Sequence, residues 1–214
     1  MKKVNFFDLG MNRGAVCDFF MESCEQSNIN IRVIGFEPMP RLFAKLTQKY
    51  KHNNKVEVLP YAISENRGES KIYSANCEGG HSLFNDHEAV INQNIDKKDC
   101  FSVQTIKFSQ FIINNLDKYN IDNSINILKS NIEGAEYFLF NDIIDSNIYK
   151  KFQIFCGTPN EAFDVFKIKS LKNQAQNLIK KMNNSGINFK RYTSIYHEPC
   201  PRNFDIIKAI KEIL

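Results

Sequence analysis

Five apolar runs of strand length constrain this chain more than any other feature: "VNFFDL" (4–9), "IRVIGF" (31–36), "VEVLPY" (56–61), "INILKS" (125–130) and "FQIFC" (152–156). They are continuous rather than alternating, the mark of strands covered on both faces. Between them lie segments with helical spacing. Residues 14–26 carry Val16, Phe19, Phe20 and Met21; 40–51 carry Leu42, Phe43 and Leu46; 133–144 carry Ala135, Phe138, Leu139 and Ile143. Strands alternating with helices predict an α/β fold: a doubly wound, mostly parallel sheet with right-handed crossovers and helices on both faces.

The stretch from 61 to 120 breaks this rhythm. "AISENRGESKIYSA" reads as a hairpin turning at Asn66-Arg67-Gly68, and "FSVQTI" as a strand leading into a helix over 107–119. Between them, about 74–100 is polar, glycine-containing and irregular, and is expected to be an inserted lid or substrate loop. Beyond 160 the spacing predicts a long helix to about 183, a strand at "INFKRYTSI", a "HEPCP" loop and a terminal helix.

A chain of 214 residues, 43% hydrophobic, is expected to build one domain spanning 1–214. Its net charge of +4 is dispersed over scattered lysines, which argues for a solvated surface and against a nucleic-acid stripe. No signal-peptide pattern follows the first residues and no apolar run approaches the ~18 residues of a membrane span, so a soluble, cytoplasmic protein is expected. The six cysteines form no CxxC pair and are expected to be reduced, with Cys17 and Cys24 on one helix face. No metal-ligand spacing is present.

"FFDLGMNRG" ends a strand at Asp8, turns at Gly10, offers Asn12 to a ligand and opens a helix at Gly14. At the end of the next strand, "GFEP" places Glu37 23 residues after Gly14, where an acid can accept both hydroxyls of a ribose. Phosphate readings fail: no GxxxxGK[ST] is present, and Asn12-Arg13 occupies the place of a second fingerprint glycine. A ribose-bearing cofactor without a pyrophosphate, such as S-adenosyl-L-methionine (SAM), fits better.

"DLGMNRG", "VIGFEPMPRLFAKL", "VEVLPYAIS", Ser82-Leu83 and "ILKSNIEGAEY" together resemble the FkbM-type SAM-dependent methyltransferases, over roughly residues 4–145. The resemblance implies a class I methyltransferase fold, with Asp8, Gly10, Asn12 and Gly14 around the methionine portion of SAM. It further implies Glu37, followed by Pro38, on the ribose, Ala62 and Ile63 on the adenine side, and Ser82 in the substrate pocket. The family mainly methylates hydroxyls, often on sugars or natural products, so the implied acceptor is a small carbohydrate-like molecule. Two departures stand out: Asn131 replaces the family's Asp, and "FCGTP" (155–159) replaces its Glu-x-His.

Asn131 fits both a site residue, orienting an acceptor without taking its proton, and a helix N-cap. A general base would then come from Glu133, Glu136, His81 or His197. Glu133 and Glu136, three apart, would share a helix face, as a catalytic pair or as a solvated acidic turn. Lys129 fits a substrate contact or a strand-end lysine, and Glu136 a substrate contact. His81 lies between flexible glycines and an apolar pair, while His87 is expected to be solvated. Signatures of nucleic-acid methyltransferases are missing: Ile132-Glu133 follows Asn131 where Pro-Pro-aromatic would stand, and "EPCP" lies too late for a Pro-Cys motif. A SAM-binding module with impaired catalysis is the other alternative.

Overall fold

The computed structural model describes residues 3–74, 80–91, 100–157, 163–191 and 205–214. The chain runs β1 (Val4–Leu9), α1 (Ala15–Gln26), β2 (Ile31–Phe36), α2 (Pro40–Tyr50) and β3 (Val56–Leu59). Then come β4 (Tyr61–Ile63), β5 (Gly68–Tyr73), α3 (Glu88–Ile91), β6 (Cys100–Ile106), α4 (Phe108–Asn114), α5 (Leu116–Tyr119) and β7 (Ile125–Ser130). After these follow α6 (Glu136–Asp145), β8 (Ile154–Gly157), α7 (Phe163–Phe166), α8 (Lys172–Asn184), β9 (Phe189–Arg191) and α9 (Ile206–Ile213).

Six strands form one sheet in the order β3-β2-β1-β7-β8-β9, and every pairing in it is parallel. The order reverses at β1, whose neighbours are β2 on one side and β7 on the other, so a crevice opens where β1 and β7 end. β1 is buried along its whole length, and its alternate residues feed two cores. Val4 and Phe6 join Cys17, Phe20 and Cys24 of α1 and Ile206 and Ile210 of α9 on one face. Phe7 and Leu9 join α4, α6 and α8 on the other. Phe7 packs edge-on against Phe108, Tyr119 and Phe152, with ring centroids 6.1, 5.9 and 5.5 Å away. Cys17, Cys24, Cys100 and Cys156 are free thiols, and burial pushes that of Cys24 up to about 11.

The hairpin expected within 62–75 does not form. β4 and β5 both pair with β6, β4 parallel and β5 antiparallel, so β6 lies between them in a second, three-stranded sheet. Pro60, which lacks an N–H, stands between β3 and β4, and there the extended run 56–61 leaves the main sheet for the second one. The helix expected over 107–119 breaks at Asn115, whose side chain donates to the Phe111 carbonyl at 2.8 Å and competes with the next helical bond. The long helix expected beyond 160 is two helices, α7 and α8. Part of the expected strand 187–195 is seen as β9, and the terminal helix is α9.

α6 starts at Glu136, later than the apolar spacing suggested. Glu133 and Gly134 have φ of 51° and 97°, left-handed values that cannot continue a right-handed helix. The residue before the helix is Ala135, so Asn131 is not its N-cap. No helix among the described residues is long and apolar enough to cross a membrane.

Candidate active site

The ends of β1, β2 and β7 are laced together by main-chain bonds. Gly10 N and Met11 N both donate to the Phe36 carbonyl, at 3.1 and 3.0 Å, and Asn131 N donates to the Leu9 carbonyl at 3.1 Å. Gly10 has φ 79°, and a Cβ there would overlap the Asn131 carbonyl oxygen, so the close approach of the two loops demands glycine. Gly14, also at φ 79°, precedes α1, and a Cβ there would overlap the Tyr50 hydroxyl. That hydroxyl shares its one hydrogen between Asp18 Oδ1 at 2.7 Å and the Gly14 carbonyl at 3.1 Å, fastening the loop to α2.

Glu37 turns its carboxylate onto this loop. Oε2 accepts from Asn12 N at 2.8 Å and Oε1 from Met39 N at 3.0 Å, with the side chain 4% exposed. Burial, opposed by these two N–H groups, pushes its pKa up to about 7. A carboxylate has about four acceptor positions, so two accepted bonds leave room for the two hydroxyls of a diol. Pro38, half-buried, follows it in the short connection to α2.

Asp8 and Lys129 face each other across β1 and β7 and form a buried ion pair of 2.7 Å. The Lys129 ammonium also donates to the carbonyls of Leu9 and Gly10, at 3.2 and 2.8 Å. Its three donors are thus engaged by β1 and by Gly10 just after it, which places Lys129 under the loop and away from a substrate. Burial raises the Asp8 pKa, and Lys129 opposes this.

Asn131 stands at the end of β7, and its buried Oδ1 has no hydrogen-bond partner among the described residues. The neighbouring Ser130 Oγ, in a residue 3% exposed, likewise has none. Buried acceptors of this kind call for a donor from a ligand or water. The half-used Glu37 carboxylate and the unmatched Asn131 Oδ1 fit a ligand that brings a diol and a further donor, as SAM does with its ribose and α-ammonium.

Glu136, 3% exposed, reaches back to accept from Ile132 N and Gly134 N, both at 2.8 Å. It therefore holds the 131–135 turn, and the two glutamates do not share a helix face. Ser82, fully buried, donates from Oγ to the Glu133 carbonyl at 2.7 Å and accepts from Phe84 N at 3.1 Å. The left-handed geometry of Glu133 costs on the order of 1–3 kcal/mol and persists only because these contacts impose it. Phe84 stacks on Phe138 at 5.4 Å, completing the seam between 80–91 and α6.

His87 is not solvated: it is 0% exposed, with Nε2 3.9 Å from Glu133 Oε2. Burial first, then Lys167, lower its pKa to about 4, against the pull of Asp86. "DHEAVI" held a weak signal for this, since His87 and Val90 stand three apart, a helical spacing, and Val90 is buried, whereas Ile91 is exposed. His81 is half-buried, and burial lowers its pKa. Ala62 (6% exposed) belongs to the small cluster of Met39, Leu42, Ile72 and Val103, and Ile63 (2%) to the main core. His197 and much of the 74–100 loop lie outside the described residues. Gly157 ends β8 where a Cβ would overlap the Ser130 carbonyl oxygen, so the strands meet too closely for a larger residue. Among the described residues, no three His, Cys, Asp or Glu side chains are grouped to hold a metal ion.

The structure therefore brings Asp8, Gly10, Asn12, Gly14, Glu37, Lys129 and Asn131 together at the switch point, with Ser82, Glu133 and Glu136 on the adjoining turn. The locking role of Tyr50 and the burial of His87 were missed by sequence reasoning. No curated protein matches the chain. Among solved structures, yeast methylglyoxal/isovaleraldehyde reductase Gre2, complexed with NADPH, is similar at 11% identity and a TM-score of 0.27. That match covers 88% of this chain and 52% of the reductase, so the chain spans about half of the reductase's length, and the likeness is too loose to bear on the fold. The family model described as the methyltransferase FkbM domain matches residues 8–189, most of the chain, and the protein belongs to the FkbM methyltransferase family.

Proposed function

We propose that the protein is a SAM-dependent O-methyltransferase acting on a hydroxyl of a small polar acceptor, a sugar or sugar nucleotide in surface-glycan or natural-product assembly. The observation that carries the cofactor reading is the buried Glu37 carboxylate, held 2.8 Å from the Asn12 amide at the switch point with acceptor positions to spare. When bound, SAM supplies an electrophilic methyl group. The chain's own work is mostly placement, which can lower a displacement barrier by roughly 7–11 kcal/mol, whereas a general base adds about 10²- to 10⁴-fold. Asn131 suits placement, the larger contribution, because its amide accepts from and donates to a ligand but takes no proton. Glu133, 21% exposed on its side chain, is the carboxylate best placed to receive the acceptor's hydroxyl proton. His81 is the second candidate base.

Calorimetric titration with SAM and its demethylated product tests the reading, with Glu37→Gln expected to weaken both. Methyl transfer to a panel of sugar nucleotides, read by mass spectrometry, then tests the acceptor class. Absence of SAM binding at millimolar concentration overturns the proposal. The competing reading, a SAM-binding module without turnover, is favoured by Asn131 and by "FCGTP" (155–159) in place of the family's Glu-x-His. Tight SAM binding with no transfer to any hydroxyl acceptor would support it.

A further inference from the structure

His87 is fully buried although its segment was expected to be a loop over the crevice. The backbone around it is tied to the chain between α7 and α8: Glu88 N donates to the Lys167 carbonyl at 3.0 Å, Ser170 N to Asp86 Oδ2 at 2.7 Å, and His87 bridges Ile168. On the other side Ser82 pairs with Tyr73 of β5, and its hydroxyl grips the Glu133 carbonyl. The imidazole is therefore carried on a strap fixed at three places. What it faces is the Glu133 carboxylate, 3.9 Å from Nε2 and itself partly exposed.

We propose that His87 is a positioning residue for Glu133: its neutral imidazole, with the proton on Nε2, keeps the carboxylate turned toward the crevice. The inference rests on the methyltransferase reading for its functional meaning, but not for its geometry. A charged imidazole would form an ion pair with Glu133 and weaken it as a proton acceptor. A neutral one aims a dipole at the carboxylate and leaves its charge intact. Burial and Lys167 favour the neutral form and Asp86 opposes it, while the Glu133 carboxylate lies 3.9 Å from Nε2. The strap supplies rigidity, because it pins the Glu133 main chain through Ser82 and its side chain through His87.

The decisive measurement is histidine NMR on the full chain, with His87→Gln assigning the resonance among the four histidines. The His87 ring is expected to stay neutral to near pH 4 with its proton on Nε2, and Glu133→Gln is expected to lower its pKa further. An unchanged His87 titration in Glu133→Gln, or a proton on Nδ1 alone, overturns the proposal. Kinetics give the second arm. His87→Leu should lower kcat by at least ~10-fold with SAM affinity unchanged, while His87→Gln, which can return an N–H to the Nε2 position, should restore most of it. Full kcat in His87→Leu also overturns the proposal. Failure to bind SAM would sink the functional reading and leave the NMR result standing.

Discussion

Asp8 and Lys129 stand opposite one another in the register of two parallel strands and share a buried contact of 2.7 Å beneath the loop that defines the crevice. The pair has one neutralised charge on each strand, and the lysine's remaining donors cap the Leu9 and Gly10 carbonyls. It works as a clasp that fixes the height of the loop above the sheet.

Removing one member should cost far more than removing both. Lys129→Met leaves the Asp8 carboxylate buried without its counter-ion and is expected to destabilise the fold by ~3–5 kcal/mol. Asp8→Asn combined with Lys129→Met should lose clearly less than the sum of the single changes. Urea unfolding of the four proteins in this cycle measures the coupling.

Glu37 should make stability depend on pH in a defined window. Its pKa is about 7 in the fold against 4.5 for an ordinary glutamate, because burial disfavours the charged form. The folded state therefore binds this proton more tightly than the unfolded chain. The resulting stability is fully present below 4.5 and is lost as pH rises through 7, a change of roughly 3 kcal/mol. The difference between wild type and Glu37→Gln, followed by urea midpoints from pH 4 to 8, should show this slope. SAM binding near pH 6.5 should release a proton, visible as a dependence of the calorimetric heat on buffer ionisation enthalpy.

Gly10→Ala should fail to fold or lose more than ~2 kcal/mol, since a Cβ meets the rigid Asn131 main chain at a φ that L-residues avoid. Gly14→Ala meets a side chain instead, the Tyr50 hydroxyl, so adding Tyr50→Phe should recover part of its loss. Thermal melts of the three variants separate the two causes.

The two glutamates of "EGAE" should part company. Glu136→Gln keeps only one acceptor oxygen for two buried N–H groups and is expected to cost ~1–3 kcal/mol in stability. Glu133→Gln should leave the melting temperature near wild type and lower kcat instead. Parallel calorimetry and methyl-transfer assays check both.

The parallel strands and the helices packed on them were legible because their apolar runs are long and local. The crevice was legible for a related reason: glycines at positive φ and an acid after the second strand are signals carried within a few residues. What escaped the sequence depended on distant partners. The pairing of β5 with β6 rather than β4 is a choice among strands of similar composition, and nothing near Asn66 records it. The start of α6 is set by Glu136 reaching back and by Ser82 holding Glu133 from 51 residues away, so local spacing placed it too early. Lys129 was left open between a strand-end lysine and a substrate contact because its partner, Asp8, lies 121 positions earlier in the chain.

The anchoring of 84–91 on 165–170 gives this architecture a long lever. A substitution near Ile168, which is buried in the chain between α7 and α8, would be felt through His87 at the turn carrying Glu133. The packing between α7 and α8 is thereby tied to the geometry of the 131–135 turn, a coupling that reaches across the fold without passing through Glu37 or the glycine loop.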